Sequence, residues 1–288
     1  MIEWINTIVQ GILSGGLYAL FAIGLSLTYG VMRLVNIAHG DFILLAGYIA
    51  LLIVNASGVH PFVALPLVVL LMFALGYFLQ RIILNRTLGS DILPPLLVTF
   101  GMSIIIQNGL LEGFSADARS LDVGGMTTES LHLTGDLSVG LFPLITFLTA
   151  AGLTVGLTLL FKKTPLGMAF RATSDDQETA QLMGIKNRHV YALAMGVAFA
   201  LMAVGGVFLG IKASFTPDMG PSLLLYAFEA VVIGGLGSFW GTFAGAILLG
   251  VAQGIGYKFN PGWGILVGHL AFLAILVFKP TGLFARTQ

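Results

Sequence analysis

The chain has 288 residues, of which 57% are hydrophobic and 9% are charged, and its 13 basic and 13 acidic side chains cancel. Soluble domains carry about 25% charged residues, so an ordinary water-facing surface is excluded, and disorder is excluded because it needs low hydrophobicity. The charge balance argues against a nucleic-acid partner, and the lack of cysteine excludes disulfides, thiolate metal sites and a cysteine nucleophile. The composition therefore predicts an all-α polytopic membrane protein, with one transmembrane domain over 1–288.

Long apolar runs predict the membrane helices, because lipid satisfies no backbone hydrogen bond and a crossing needs about 20 apolar residues. The first helix is expected to be retained, since no basic region precedes it. Segments 223–237 and 242–257 are short, so they form two thin spans or include a re-entrant segment, whereas the last segment is expected to cross. The sequence thus predicts eight or nine spans, near 8–30, 42–56, 61–80, 94–111, 141–161, 190–211, 223–237, 242–257 and 262–278.

Basic residues predict the orientation, because they accumulate in cytoplasmic loops. Nine spans with the N-terminus outside leave three basic residues outside, which are Arg119, Lys212 and Lys258. The other ten lie inside, which are Arg33, Arg81, Arg86, Lys162, Lys163, Arg171, Lys186, Arg188, Lys279 and Arg286. The polar loop 162–189 then faces in. The loop 112–140 faces out, with a turn-prone glycine pair and the acidic residues Glu112, Asp117, Asp122, Glu129 and Asp136.

The inner loop carries helix start and stop signals. Thr164 followed by Pro165 is typical of a helix start, and Gly184 is typical of a helix end. Ser174 with Gln177 forms a capping-box pattern. We expect a short helix over about 175–183, either as part of a solvated loop or with its apolar residues against a partner or the membrane face. Those residues are Ala180, Leu182 and Met183.

The same loop resembles a known family motif. Its sequence Glu178-Thr-Ala180-Gln-Leu-Met-Gly184-Ile185 is similar to the Glu-Ala-Ala-x-x-x-Gly loop of ABC importer permeases, although Thr179 departs from the motif. In that family the loop forms a coupling helix that sits in a cleft of the ATPase. The resemblance therefore implies that Glu178, Ala180, Gly184 and Ile185 couple this chain to an ATPase.

Further segments resemble one branch of that family, the branched-chain amino acid importer permeases with their urea and short-amide relatives. They lie at 16–25, 30–41, 97–108 and 217–241, and the most specific is Asn36-Ile-Ala38-His39-Gly40-Asp41. The resemblance runs from about 11 to 280 and is nearest to the H type of high-affinity permease.

The resemblance implies a non-catalytic permease subunit of an ATP-driven importer, most readily for branched-chain amino acids. Urea, short amides and other polar amino acids are alternative substrates. The implied partners are a second, related permease, two ABC ATPases that use ATP, and a periplasmic or extracellular substrate-binding protein. The implied location is the bacterial cytoplasmic (inner) membrane, with lipid around a multi-pass chain that binds no cofactor itself.

Polar residues between and within the spans are candidates for the translocation path, because they are costly in lipid unless they face protein or water. Asn36, His39 and Asp41 either line a cavity from a broken helix, or belong to a cytoplasmic turn in which Asn36 and Asp41 cap helix ends. The other histidines lie at no ligand spacing from His39, so a structural hydrogen bond is expected of it rather than a metal.

The span 94–111 carries a polar stripe, because Thr99, Ser103 and Gln107 follow one another at four-residue intervals. Interhelical hydrogen bonding is expected for Ser103, and path lining for Gln107.

Glu229 lies in the middle of 223–237, where the resembled permeases usually carry a small or apolar residue. It either faces the cavity and a polar or cationic substrate group, or it is protonated or paired with a group such as His269.

Two other function classes compete with the permease. An autonomous secondary transporter needs a coupling-ion site, for which only Glu229 and Asp41 are available. A membrane enzyme needs a catalytic constellation, and the sequence shows no such pattern.

Overall fold

The computed structural model of the protein describes residues 2–87, 93–134 and 137–284. Arg286 and Asp136, which the predicted topology placed inside and outside, lie outside the described residues. Within them the protein is all-α, apart from one short hairpin. The helices are α1 (Ile2–Met32), α2 (His39–Ser57), α3 (Pro61–Ile82), α4 (Leu93–Phe114), α5 (Leu141–Lys163), α6 (Pro165–Asp175), α7 (Gln177–Leu182), α8 (Asn187–Lys212), α9 (Gly220–Gly234), α10 (Phe239–Phe259) and α11 (Gly264–Phe278).

Seven of these helices are long and apolar enough to cross a membrane, namely α1 to α5, α8 and α10. The apolar helices α9 and α11 have 15 residues each. At 1.5 Å per residue they are about 22 Å long, which is shorter than the hydrocarbon core of about 30 Å. The chain is therefore a multi-pass membrane protein with two short helices.

The predicted lengths of the last two spans need correction. The segment expected to be short, 242–257, belongs to the 21-residue helix α10, which the side chain of Ser238 caps at its start. The last segment, expected to cross, is the 15-residue helix α11. The chain around Pro261 forms a turn closed by the bond from Trp263 N–H to the Asn260 carbonyl (2.9 Å), and this turn delays the start of α11 to Gly264.

Helix α8 lies at the centre of the fold. It packs against α1, α2 and α3, and nearly its whole length from Val190 to Ile211 is buried. A Cβ atom on Gly206 would overlap the carbonyl oxygen of Ile43, so α8 and α2 touch through their backbones. Helices α1 and α10 approach each other in the same way, at Gly15 and Gly250. Small residues thus provide the close helix packing that lipid cannot drive by the hydrophobic effect.

Helix α2 begins beside the middle of α1. The ring of His39, its first residue, donates from Nε2 to the Phe21 carbonyl at 2.7 Å. Helix α1 continues from Phe21 to Met32, which is about 16 Å at 1.5 Å per residue. The non-helical residues 33–38 therefore run back along the last turns of α1. This is a broken, re-entrant connection rather than a turn at the helix end.

The outer loop contains structure that the sequence analysis did not predict. Strands β1 (Ser130–Thr134) and β2 (Leu137–Gly140) form an antiparallel pair. Upstream, Arg119 exchanges two backbone hydrogen bonds with Phe215, and Leu121 N–H donates to the Gly210 carbonyl at 2.7 Å. These bonds join the outer loop to the last turn of α8 and to the connection that leads from α8 to α9.

Candidate functional site

The inner loop forms two helices instead of the single predicted one. The predicted start at Thr164 is confirmed, since its Oγ1 accepts from Gly167 N–H at 3.0 Å. Ser174 is not a cap, however, because it lies inside α6 and donates to the Gly30 carbonyl at 2.6 Å. Asp176 caps α7 instead, and its Oδ1 accepts from the backbone N–H groups of Glu178 (2.9 Å) and Thr179 (3.1 Å).

Helix α7 is held rigidly against the rest of the chain. Gly184 ends it with a positive φ of 85°, as predicted, and Ile185 N–H donates to the Ala180 carbonyl at 3.0 Å. Asn187 Nδ2 donates to the Gln177 carbonyl at 2.8 Å, which ties α7 to the start of α8. Hydrogen bonds from the hydroxyl and N–H of Thr179 keep the pKa of Asp176 below its usual value, so the cap is ionised at neutral pH.

The free face of α7 is apolar at its end. Leu182 is 87% exposed and Met183 is 80% exposed, while Glu178 is also exposed. Ala180 is buried within the chain, so only Leu182 and Met183 of the three apolar residues lie on the free surface, and the coupling role of Ala180 stays a prediction. Beside this face lies a cavity of about 630 Å³ whose lining includes the basic residues Arg81, Lys186 and Arg188. This end of the molecule thus presents exposed apolar side chains next to positive charge.

Four of the six predicted path residues, Asn36, Asp41, Thr99 and Gln107, lie where α4 meets α2 and the connection that precedes it. Ile37 N–H, in the re-entrant connection, donates to Thr99 Oγ1 at 3.2 Å. Gln107 Nε2 donates to Asp41 Oδ1 at 2.9 Å and to Ser103 Oγ at 3.0 Å. Asn36 Oδ1 accepts from Ala38 N–H at 3.0 Å. Asp41 lies in the first turn of α2 and Ala38 precedes that helix, so the predicted capping role of Asp41 is wrong.

This cluster is buried inside the single chain. Asn36, His39 and Thr99 are fully buried, and Asp41 is 1% exposed. Asn36 Nδ2 and His39 Nδ1 have no hydrogen-bond partner among the described residues. Close contact between α2 and α9 seals one side, because a Cβ on Gly220 would overlap the Asp41 carboxylate. The cluster therefore joins α1, α2, α4 and α9, and its role in the path stays a prediction.

Glu229 lies apart from this cluster and is paired with His269, one of the two arrangements expected for it. Glu229 Oε1 accepts from His269 Nδ1 at 2.5 Å, and Glu229 is 1% exposed. It lies nine residues after Gly220, about 13 Å further along α9. The His269 ring stacks on Tyr226 with centroids 6.4 Å apart. The carboxylate is thus in protein contact between α9 and α11.

A row of aromatic and polar side chains continues from this pair towards the first half of α1. The Tyr226 ring lies 5.2 Å from the Tyr18 ring, and Tyr18 Oη donates to Gln253 Oε1 at 2.5 Å. Tyr18 and Gln253 line the inner part of a groove of about 440 Å³ between α1 and α10. Other polar side chains along it are Asn6, Thr7, Gln10, Ser14, Tyr257 and Lys258.

This groove was not predicted from the sequence. Its signal was the spacing of polar residues on the first helix, at 3, 6, 7, 10, 14 and 18, which places them on one helical face. The run is more polar than a lipid-facing helix would carry.

Comparison with known proteins gives consistent matches over the full chain. The family profile described as branched-chain amino acid transport system / permease component matches residues 7–276. The chain is 29% identical to BraD, a high-affinity branched-chain amino acid transport system permease protein of Pseudomonas aeruginosa, over 99% of this chain and 97% of that protein. It is 28% identical to LivH of Salmonella typhimurium, over 99% and 96% of the two chains.

A second type of permease is also similar. LivM of Escherichia coli is 25% identical, over 94% of this chain and 68% of that protein, and it too is described as a high-affinity branched-chain amino acid transport system permease protein. No solved structure matches.

Proposed function

The chain belongs to the family of permease components of branched-chain amino acid transport systems, and from that premise we propose that it carries branched-chain amino acids into the cell. It is the permease subunit of an ABC importer. The observation that supports the substrate is the match over nearly the whole chain to relatives whose names specify branched-chain amino acids. Urea, short amides and other polar amino acids are the competing substrates.

The chain acts together with a second permease, since relatives of the LivH and LivM types are both similar to it. Two ATPases bind the cytoplasmic side and hydrolyse ATP, and a substrate-binding protein delivers the solute from outside. The chain itself catalyses no reaction and binds no cofactor. The assembly lies in the bacterial inner membrane.

The coupling surface is the exposed end of α7, with Glu178, Leu182 and Met183, and the basic rim beside it. Its chemistry supports this role, because protein interfaces combine a small apolar centre with a charged rim. Gly184 and Ile185 hold α7 at its C-terminal end, and the backbone bond from Ile185 N–H closes it on Ala180. Force from the ATPases therefore reaches α8 through the bond from Asn187 to Gln177.

The test is uptake by the complete importer in sealed vesicles. The chain is co-expressed with its second permease and ATPases, and radiolabelled leucine uptake is measured with binding protein outside and ATP inside. We expect uptake that stops when ATP is omitted and survives dissipation of the ion gradients. Uptake that needs a gradient but no ATP would establish a secondary transporter instead. ATP-dependent uptake of urea or an amide, but not leucine, would overturn the substrate alone.

A further inference from the structure

We propose that the groove between α1 and α10 binds a small zwitterionic amino acid and forms the outward section of the translocation path. This inference rests on the proposed function, because it assigns a location to the transported solute. The groove has the size of a small-molecule site, which typically measures about 300–1,000 Å³. It is distinct from the buried cluster around Asp41 that the sequence analysis favoured.

The groove lies at the end of the molecule remote from the coupling helix. Ser174, just before α7, contacts Gly30 near the end of α1, whereas Asn6 to Ser14 line the groove near its start. Gly30 and Asn6 are about 36 Å apart along the helix at 1.5 Å per residue. If α7 docks an ATPase in the cytoplasm, the groove opens towards the outside, which agrees with the distribution of basic residues.

The helix that forms one wall has two different faces. On α1 the residues Trp4, Ile5 and Ile8 are apolar and 41–48% exposed, which suits lipid. Asn6, Gln10 and Ser14 point instead into the groove and are partly buried. Polar side chains inside a membrane normally face protein or water, because contact with lipid is costly. The polar face therefore borders a watery or ligand-filled space.

The charges at the mouth favour a neutral solute overall. Lys258 Nζ binds Glu3 Oε2 at 2.9 Å and lies over the Trp4 ring at 5.1 Å. Lys258 is the one charged side chain among the described residues that line the groove. Because Glu3, which does not line the groove, balances the charge of Lys258, the mouth carries no net charge that would favour an anion or a cation over a zwitterion.

Hydrogen-bonding groups of both kinds line the groove. Asn6 Oδ1, an acceptor, and Gln253 Nε2, a donor, are buried atoms of lining residues and have no partner among the described residues. Gln10 Nε2 donates to the Ser138 carbonyl at 2.9 Å, which leaves its amide oxygen as an acceptor. The Gln10 amide oxygen suits an ammonium group, while the Ser14 hydroxyl and the N–H donors of Lys258 that Glu3 does not use suit a carboxylate.

The aromatic chain behind the groove fixes its inner wall. Tyr18 holds Gln253 through a 2.5 Å hydrogen bond, and Tyr226 holds Tyr18 from the other side. Glu229 orients the His269 ring that stacks on Tyr226. Glu229 is therefore a positioning residue for this wall and does not itself line the groove.

The chain contains no cysteine, so single cysteines can report which side chains meet water and solute. Ser14→Cys and Gln10→Cys are made in the complete importer, with Ile8→Cys as the control on the lipid-facing side of the same helix. A membrane-impermeant thiosulfonate is added from outside, and labelling of this chain is measured by mass spectrometry. We expect Ser14→Cys and Gln10→Cys to react at least about ten-fold faster than Ile8→Cys, because only water supports the reactive thiolate.

Solute and transport supply the decisive comparison. Leucine, with binding protein present, is expected to slow labelling of Ser14→Cys, and labelling is expected to block uptake. Labelling of Ser14→Cys no faster than that of Ile8→Cys would overturn the proposal. So would labelling that leucine does not slow and that leaves uptake intact. In either case, ATP-dependent uptake by the unmodified importer would still support the proposed function. Loss of uptake by the unmodified importer would instead refute the proposed function.

A second variant keeps the test valid if a cysteine disturbs folding. Gln10→Leu keeps the side-chain volume but removes the hydrogen-bonding groups, and assembly is checked by co-purification of the second permease and ATPases. We expect a KM for leucine raised about ten-fold, as the loss of one to two hydrogen bonds implies. Asn108→Leu on α4 is the polar control, because Asn108 Nδ2 bonds only the Ile104 carbonyl of its own helix among described residues. Equal KM values for both variants would contradict the proposal.

Discussion

Glu229 and His269 form a 2.5 Å pair that joins α9 to α11, the two shorter apolar helices of the fold. The positions of both helices depend on tertiary contacts, and the Glu229–His269 hydrogen bond is one such contact. The carboxylate is 1% exposed, so its environment contains little water. Its second oxygen, Oε2, has no partner among the described residues. The pair is therefore the polar link in an otherwise apolar contact between these helices.

Breaking this pair should destabilise the protein more than removing it entirely. His269→Leu leaves the acid unpaired, and we expect a loss of about 3 kcal/mol, as for other buried pairs from which one partner is removed. Glu229→Leu combined with His269→Leu should lose less than His269→Leu alone. Thermal unfolding of the purified permease complex in mild detergent measures both. Additive effects in the double-mutant cycle would show that the two residues act independently.

The hydrogen bond between Gln107 and Asp41 should hold α4 against α2. Gln107→Leu removes the donor and leaves a buried carboxylate without this partner, for an expected loss of about 1–3 kcal/mol. Unfolding in detergent checks the loss. Asn108→Leu is the neighbouring control and should change stability by less than about 0.5 kcal/mol, as exposed substitutions usually do. Similar losses for both variants would mean that α4 is merely sensitive to apolar substitution.

The close approach of α2 and α9 predicts that methyl groups are not tolerated there. A Cβ on Gly40 would overlap the Gly220 carbonyl, so Gly40→Ala should cost about 1–3 kcal/mol or prevent assembly. Gly101 and Gly109 on α4 have open space around the equivalent position. Gly101→Ala and Gly109→Ala should therefore be neutral or stabilise by up to about 1 kcal/mol through helix propensity. The yield and unfolding temperature of the three single variants are compared.

The exposed end of α7 predicts a separation of coupling from folding. Leu182→Ser and Met183→Ser together should leave the unfolding temperature unchanged, because both side chains are more than three-quarters exposed. They should reduce ATPase co-purification and ATP-dependent uptake several-fold. The reason is that apolar side chains that become buried when two proteins bind supply much of the binding energy. Leu148→Ser on the exposed face of α5 is the control, and an equal loss there would contradict a specific docking role.

The cap of the same helix should make coupling sensitive to acid. Because the folded-state pKa of Asp176 is depressed, its contribution to α7 is present above the ordinary aspartate pKa and is lost as the pH falls through the folded value. Asp176→Asn keeps a capping oxygen without the charge, and its uptake should not change over that acidic range. Asp176→Ala should reduce coupling at every pH. A wild-type acid profile identical to that of Asp176→Asn would exclude this role.

Local signals in the sequence predicted the all-α membrane class, the helix start at Thr164 and the glycine stop at Gly184, and they offered the pairing of Glu229 with His269 as one of two alternatives. These depend on composition, on capping chemistry or on a single unusual residue. Ser174 was misassigned because its partner, the Gly30 carbonyl, is far away in sequence, and no local pattern reveals such a contact. The residue that caps α7 is Asp176, two residues later, and aspartate is also a favoured N-cap residue.

The role of the predicted path residues stays a prediction, and only their positions can be compared with the structure. Residues such as Asn36 and Asp41 do cluster with Thr99 and Gln107, but the single chain buries them, and burial depends on how α9 packs. The groove along α1 was not predicted, although its polar residues follow helical spacing. The predicted spans were defined by long apolar runs, and such runs do not include polar positions near a helix end. Only the packing of α10 against α1 shows that those positions share a cavity.

The re-entrant segment after α1 has a consequence for biogenesis. Ile37 N–H bonds the hydroxyl of Thr99, which belongs to a helix that the ribosome makes about sixty residues later. Until α4 enters the bilayer, this backbone group lacks that partner, and lipid supplies none. Helices α1 and α2 therefore cannot reach their final arrangement as an isolated hairpin during synthesis. A nascent chain arrested before Thr99 should leave the 33–38 connection accessible to protease, and extension through α4 should protect it.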